Sequence, residues 1–138
     1  MIFDEKTRAL AESFENVPYH KFMGLKFVEA GKGFAELKLP VKKEILNGNG
    51  VVHGGMYYTL CDLAASAALE TDKADDQFYV THDINVSIFS SVNTGVLTAK
   101  AEVLKTGKRL AFVEARIYND KDELLAAGRL TKTFLTRK

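Results

Sequence analysis

The chain has 138 residues, 46% of them hydrophobic, with 19 basic and 18 acidic side chains and a formal net charge of +1 at pH 7. That suffices for one core and one domain, residues 1–138, while the balanced charge offers no basic face for nucleic acid or a membrane surface. A single cysteine excludes an intrachain disulfide and suits a reducing compartment, and no spacing of His and Cys matches a zinc site, so no metal is expected.

Taken in order, the stretch from Asp4 to Phe14 reads as a short helix. Phe3, Leu10 and Phe14 share one side, Asp4 is a candidate cap, and Pro18 ends the segment. Residues 1–18 are thus expected to form a helical extension without chemistry of its own. The N-terminus has no hydrophobic signal core, and Asp4, Glu5, Glu12 and Glu15 make it too acidic for a transit peptide. The cytoplasm is the expected compartment. A hairpin follows: Leu25 to Ala30, a turn at Gly31 and Gly33, then Phe34 to Leu39, where Ala35, Leu37 and Leu39 alternate with Glu36 and Lys38. Pro40 stops it.

The centre of the chain is a glycine-rich loop holding Asn47, Asn49 and His53, followed by an apolar, alanine-rich segment that reads as a buried helix. Between Val51 and Leu69 the only formal charge is Asp62. A lone carboxylate there is costly because its ionised form loses water, and Asp is a poor helix former. Asp62 therefore calls for chemistry or for a specific polar partner; a structural hydrogen-bonding hub is the plain alternative. His53, Gly54, Gly55 and Asp62 interrupt the apolar run, which leaves too little for a membrane span. Cys61 lies inside this helix and reads as packing rather than a nucleophile.

A helix starting near His53, Gly54 and Gly55 directs unpaired amides and the positive end of its dipole beyond its N-terminus. That suits a developing negative oxygen, and glycine lets another molecule come close. Asp62 lies roughly 10 Å further along the axis, too far for one small carbonyl to touch both. If both act on one substrate, they come from two antiparallel copies, so a homodimer with shared sites is expected.

After a polar connection from Thr71 to Gln77, the residues Phe78, Val80, Ile84, Val86 and Ile88 alternate with Thr81, Asp83, Asn85 and Ser87. His82 interrupts the apolar face and reads as a histidine hydrogen-bonded within the core. Strands from Val96 to Leu104, Leu110 to Tyr118 and Leu124 to Leu135 are joined by turns at Thr106 to Arg109 and Asn119 to Asp122, forming an antiparallel meander. The order predicts an α+β domain with an antiparallel sheet curled around one helix.

Asn47, Gly50, His53, Gly54 and Gly55, then Leu60 and Asp62, together resemble the hotdog-fold acyl-CoA thioesterases of the phenylacetate-pathway type. The runs from Lys105 to Phe112 and from Ala127 to Lys132 look especially like the animal members of that family. The resemblance implies hydrolysis of acyl-CoA within fatty acid metabolism, a hotdog fold and a dimer of dimers. Coenzyme A is part of the substrate, and no cofactor is implied. The animal relatives also associate with mitochondria. In this reading an amide of Gly54 or Gly55 binds the thioester oxygen, and Asp62 is general base or nucleophile. Asn47 orients the carboxylate or the water, and His53 braces the loop. Thr81 falls where the family has a Ser or Thr near the attacking water, though threonine is also a common strand residue. Tyr58 and Thr59 line the acyl pocket or pack on the sheet. Gly107, Lys108 and Arg109 meet the coenzyme A phosphates or form a solvated hairpin tip. Two other readings stand beside hydrolysis: an acyl-thioester hydratase using His53 and Asp62, whose proline-containing loop motif is missing here, and a non-catalytic acyl-CoA binding protein. A Ser-His-Asp hydrolase is set aside because no nucleophile elbow is present.

Overall fold

A computed structural model describes residues 5–137. Helix α1, Glu5–Glu15, buries Ala11 and Phe14; the expected cap Asp4 and its neighbour Phe3 lie outside the described residues. Pro18 does more than end this helix, because it opens a second one, α2, Pro18–Met23. A proline is tolerated at the first helical position, where an N–H would lack a partner anyway. Gly24 then closes α2 with a φ of 81°, a left-handed cap that favours glycine. The His20 Nδ1–H donates to the Phe14 carbonyl at 2.8 Å. Glu15 Oε2 accepts from the Phe27 amide at 2.7 Å, which pins the helical extension to the sheet.

Six antiparallel strands form that sheet: β1 (Lys26–Gly31), β2 (Phe34–Pro40), β3 (Gln77–Ile88), β4 (Val96–Thr106), β5 (Leu110–Tyr118) and β6 (Leu124–Thr136). Their spatial order is β1-β2-β4-β5-β6-β3. Helix α3, Gly54–Glu70, packs against all six. Its buried alanines, Ala64, Ala65, Ala67 and Ala68, let helix and sheet backbones approach closely. Gly128 on β6 marks one tight point: a Cβ there would stand 2.8 Å from Val86 Cγ2 and 3.0 Å from the Asn85 carbonyl oxygen. Tyr57 is fully buried, and its hydroxyl hydrogen-bonds Ser91 Oγ at 2.9 Å. This is an α+β antiparallel sheet wrapped around one long helix, the hotdog architecture.

Strand β3 departs from simple alternation. Its pairing with β6 slips between Thr81 and Asp83, a bulge at His82 that inverts which face each side chain occupies. Before the bulge Tyr79 and Thr81 face α3; after it Ile84 and Val86 do. Val80 and His82 are exposed, so the expectation that His82 is hydrogen-bonded in the core is corrected. The strand also forms an edge of the sheet, with β6 as its only strand neighbour among the described residues. Val80, Ile88 and the following Phe89 are exposed along it, Phe89 by 60%.

Candidate active site

The loop before α3 is held by its own polar groups. Asn47 Oδ1 accepts from the amides of Asn49 (2.9 Å) and Val51 (3.2 Å), and the Asn47 amide donates to the Val51 carbonyl at 2.7 Å. Asn47 therefore shapes the loop through its Oδ1, and its contacts do not reach Asp62 within one chain. The His53 amide donates to the Ile45 carbonyl at 2.8 Å. His53 is also the N-cap of α3, its Nδ1 accepting from the Gly55 amide at 2.9 Å. The Gly55 N–H is thus taken. The Gly54 N–H has no partner among the described residues and is the amide left to face outward at the positive end of the helix.

Two turns further along α3, Asp62 is not alone. Its Oδ1 accepts from Thr81 Oγ1 at 2.6 Å and from Lys132 Nζ at 2.6 Å. Lys132 also donates to Thr81 Oγ1 at 2.7 Å and to Ser66 Oγ at 3.1 Å. The bulge in β3 is what turns Thr81 inward, and Lys132 is its cross-strand partner on β6. The Lys132 side chain is 1% exposed and that of Asp62 36%, so the ammonium is sealed while the carboxylate faces out. Burial pulls the proton affinity of Lys132 down, opposed by its hydrogen bond to and attraction for Asp62. Burial and then the Asp62 charge push the Cys61 thiol up to about 12, consistent with packing rather than nucleophilic attack. Tyr79, whose hydroxyl lies 2.8 Å from both the Ser66 carbonyl and Glu70 Oε1, is likewise held neutral, by burial first and Glu70 second.

One chain therefore brings Asp62 and Thr81 together but leaves His53, Gly54, Gly55 and Asn47 at the other end of α3. The Tyr58 hydroxyl donates to the Val86 carbonyl at 3.3 Å, which ties Tyr58 to β3, and Thr59 is half-buried. Gly107, Lys108 and Arg109 form the exposed β4–β5 hairpin tip, closed by a bond from the Gly107 amide to the Leu110 carbonyl at 2.7 Å. That tip sits at the carboxylate end of the sheet, because Thr81, Lys132, Ala111 and Thr106 are successive partners in one row across four strands. Lys132 and Ser66 are the site residues the sequence reading missed. A signal existed for Lys132: it falls on the period-two face of Ala126, Gly128, Leu130 and Phe134, where an apolar residue is expected. Among the described residues no group of three or more His, Cys, Asp and Glu side chains could hold a metal ion, and no helix is long and apolar enough to cross a membrane. A groove of about 460 Å³ is lined by Lys6, Leu10, Lys32, Thr71 and Asp75. It lies by the C-terminal end of α3 and does not include Asp62.

Known proteins resemble this chain over most of its length. A 1,4-dihydroxy-2-naphthoyl-CoA hydrolase of Listeria monocytogenes is 29% identical over 109 residues, covering 79% of this chain and 89% of the relative. The solved structure of the conserved protein PA5202 from Pseudomonas aeruginosa is 31% identical with a TM-score of 0.85, covering 91% of this chain and 99% of that one. The Haemophilus influenzae thioesterase HI1161 shares the fold, with a TM-score of 0.88 at 22% identity over 99% of this chain and 93% of its own. The family model for the thioesterase superfamily matches residues 49–126, a stretch that contains the start of α3, Asp62, Thr81 and the β4–β5 turn. The chain belongs to the thioesterase superfamily.

Proposed function

We propose that the protein hydrolyses acyl-CoA thioesters to a free acid and coenzyme A, as an enzyme of the phenylacetate-pathway type. The observation that carries this reading is Asp62: a carboxylate fixed through one oxygen by Lys132 and Thr81, with its other oxygen unpartnered among the described residues. In the general-base route, Oδ2 takes a proton from water as the water oxygen bonds to the thioester carbon. The C–S bond then breaks, and the sulfur leaves with that proton as the free thiol. In direct attack, Oδ2 itself bonds to the carbon, the thiolate leaves, and water cleaves the resulting anhydride. Both routes use one water and return the carboxylate. The negative charge built on the carbonyl oxygen is met by the Gly54 amide, a pre-oriented donor that need not reorganise.

The site is completed by a second copy. Strand β3 links both groups: Thr81 near its start bonds Asp62, and Ile88 at its end lies against Gly54, where a Cβ would be 3.4 Å from Ile88 Cδ1. An exposed edge strand is a template for pairing with another chain. Two β3 edges joined antiparallel about a two-fold axis would bring the Gly54 end of one copy to the Asp62 end of the other. Coenzyme A would then extend from Asp62 toward Lys108 and Arg109, with Thr106 two strand spacings, roughly 10 Å, from Lys132. The naphthoyl-CoA hydrolase among the relatives favours an acyl-CoA substrate, and we place the enzyme in the cytoplasm as a dimer of such dimers. Asp62→Asn is the test: thiol release from a panel of short, medium, long and aromatic acyl-CoAs should fall by roughly 100-fold or more. Undiminished release by the variant would refute the role of Asp62.

A further inference from the structure

We propose that Lys132 is a positioning residue of this hydrolytic site: with Thr81 it occupies Oδ1 of Asp62, which makes Oδ2 the oxygen that acts. The inference rests on the reading of Asp62 as the reacting carboxylate. Lys132 lies outside the stretch matched by the family model. It is 1% exposed, and its partners are Asp62, Thr81 and Ser66 at 2.6, 2.7 and 3.1 Å. An ammonium has three donors and no acceptor, so all three are used and the charged form is the one that fits.

Thr81 works in the same direction. Its hydroxyl has one proton; it accepts from Lys132 and directs that proton to Asp62 Oδ1. Two strong bonds therefore converge on one carboxylate oxygen, while Oδ2 makes none among the described residues. The Lys132 ammonium is further held over the Tyr79 ring, 5.7 Å from its centroid. Packing alone does not require a charge here, because the same face of β6 carries Ala126, Gly128, Leu130 and Phe134. Replacing buried charges by apolar side chains of similar volume is often neutral for stability.

The ammonium bears on both proton steps of turnover, opposing uptake at Oδ2 and favouring the proton's release to sulfur. When Oδ2 takes a proton from water, Asp62 becomes neutral and Lys132 is left as a sealed cation without its counter-charge, a costly state. Passing the proton to the departing sulfur restores the pair. Lys132 thus acts on turnover rather than on substrate binding.

The experiment compares wild type, Asp62→Asn, Lys132→Met and Lys132→Ala for thiol release from acyl-CoA, each checked for native circular dichroism. Lys132→Met should lower kcat by roughly 10- to 100-fold with KM little changed, the scale of a misplaced reacting group. Adding ethylammonium to Lys132→Ala should restore kcat in a saturable way, because the truncated side chain leaves room for the cation; a structural scaffold would not respond. Lys132→Met with wild-type kcat, or an altered KM alone, beside an inactive Asp62→Asn, would overturn the role of Lys132 and leave the thioesterase reading intact. If Lys132→Met fails to fold, the absence of rescue in a folded Lys132→Ala overturns it equally. Full activity of Asp62→Asn would instead remove the reading beneath it.

Discussion

Replacing Asp62 by Asn removes the counter-charge of Lys132 while leaving both side chains nearly the same size. The consequence for stability should be asymmetric, because the two partners differ in exposure, 36% for Asp62 and 1% for Lys132. In Asp62→Asn the sealed ammonium keeps Thr81 and Ser66 and an amide oxygen but loses its charge partner. Breaking a buried pair typically costs roughly 3–5 kcal/mol; the retained acceptor and the open carboxylate side bring the expected loss to about 2–3 kcal/mol. In Lys132→Met the orphaned group is a carboxylate that water already reaches, and methionine fills the vacated volume. That change should stay within about 1 kcal/mol of wild type in either direction. For a chain of this size the first loss corresponds to a fall in Tm of roughly 8–12 °C. The pH dependence supplies an internal check. Burial holds Lys132 below the ordinary lysine value of 10.5, and Asp62 opposes that shift, so the Asn variant should depress it further. Below the folded-state value both folded and unfolded chains carry the proton, and the penalty is complete. Between that value and 10.5 the unfolded chain holds more protons, so stability rises with pH and the deficit of Asp62→Asn narrows. Urea unfolding followed by tyrosine fluorescence, at one protein concentration because assembly contributes to stability, would measure both effects. A larger loss in Lys132→Met than in Asp62→Asn, or a deficit that widens toward alkaline pH, would refute the assignment of the sealed charge to Lys132.

A site shared between two copies, as proposed, predicts complementation between chains. Gly54→Pro removes the open amide at a helix position that tolerates proline, and Asp62→Asn removes the carboxylate; mixed and allowed to exchange, the two inactive chains should regain roughly a quarter of wild-type activity through heterodimers with one intact site. No recovery after demonstrated exchange would exclude a site built from two copies. Cys61, its thiol pushed up to about 12 by burial and Asp62, should react with a thiol reagent at neutral pH only after unfolding; rapid labelling of the native protein would show that α3 is not packed as described.

The parts of the molecule legible in the sequence were those governed by one local rule. Alternation in β2 and the glycine-then-alanine pattern of α3 follow from burial of one face, and both elements fall where expected. Strand β3 was misread in its first half because period-two counting assumes an unbroken ladder, and a bulge is a relation between two strands. The same relation hid the site. Thr81 meets Asp62 only after His82 is extruded, and Lys132 meets both only because β6 pairs with β3. Helix α2 went unseen since six residues are too few for a helical period and Pro18 reads equally as a stop or a start. Of the two amides expected to meet a substrate oxygen, Gly55 is occupied by the N-cap His53, a contact that no spacing rule specifies.

The arrangement of charge along α3 gives the physical reason for proposing a site built from two chains. A helix offers its positive end only at its N-terminus, and here that end is Gly54, with Gly55 already satisfied. The carboxylate needs a rigid cationic support, which the sheet supplies at Lys132, two turns away. Placing both on one substrate within a single helix would require moving Asp62 into the first turn, where its carboxylate would compete with the substrate oxygen for the free amides and the positive end of the dipole. Separation keeps each group free of the other, and the antiparallel pairing of two copies proposed through β3 would reunite them. In the proposed dimer, the open amide of one protomer would face the open Oδ2 of its partner across the thioester carbon, with substrate filling the space between.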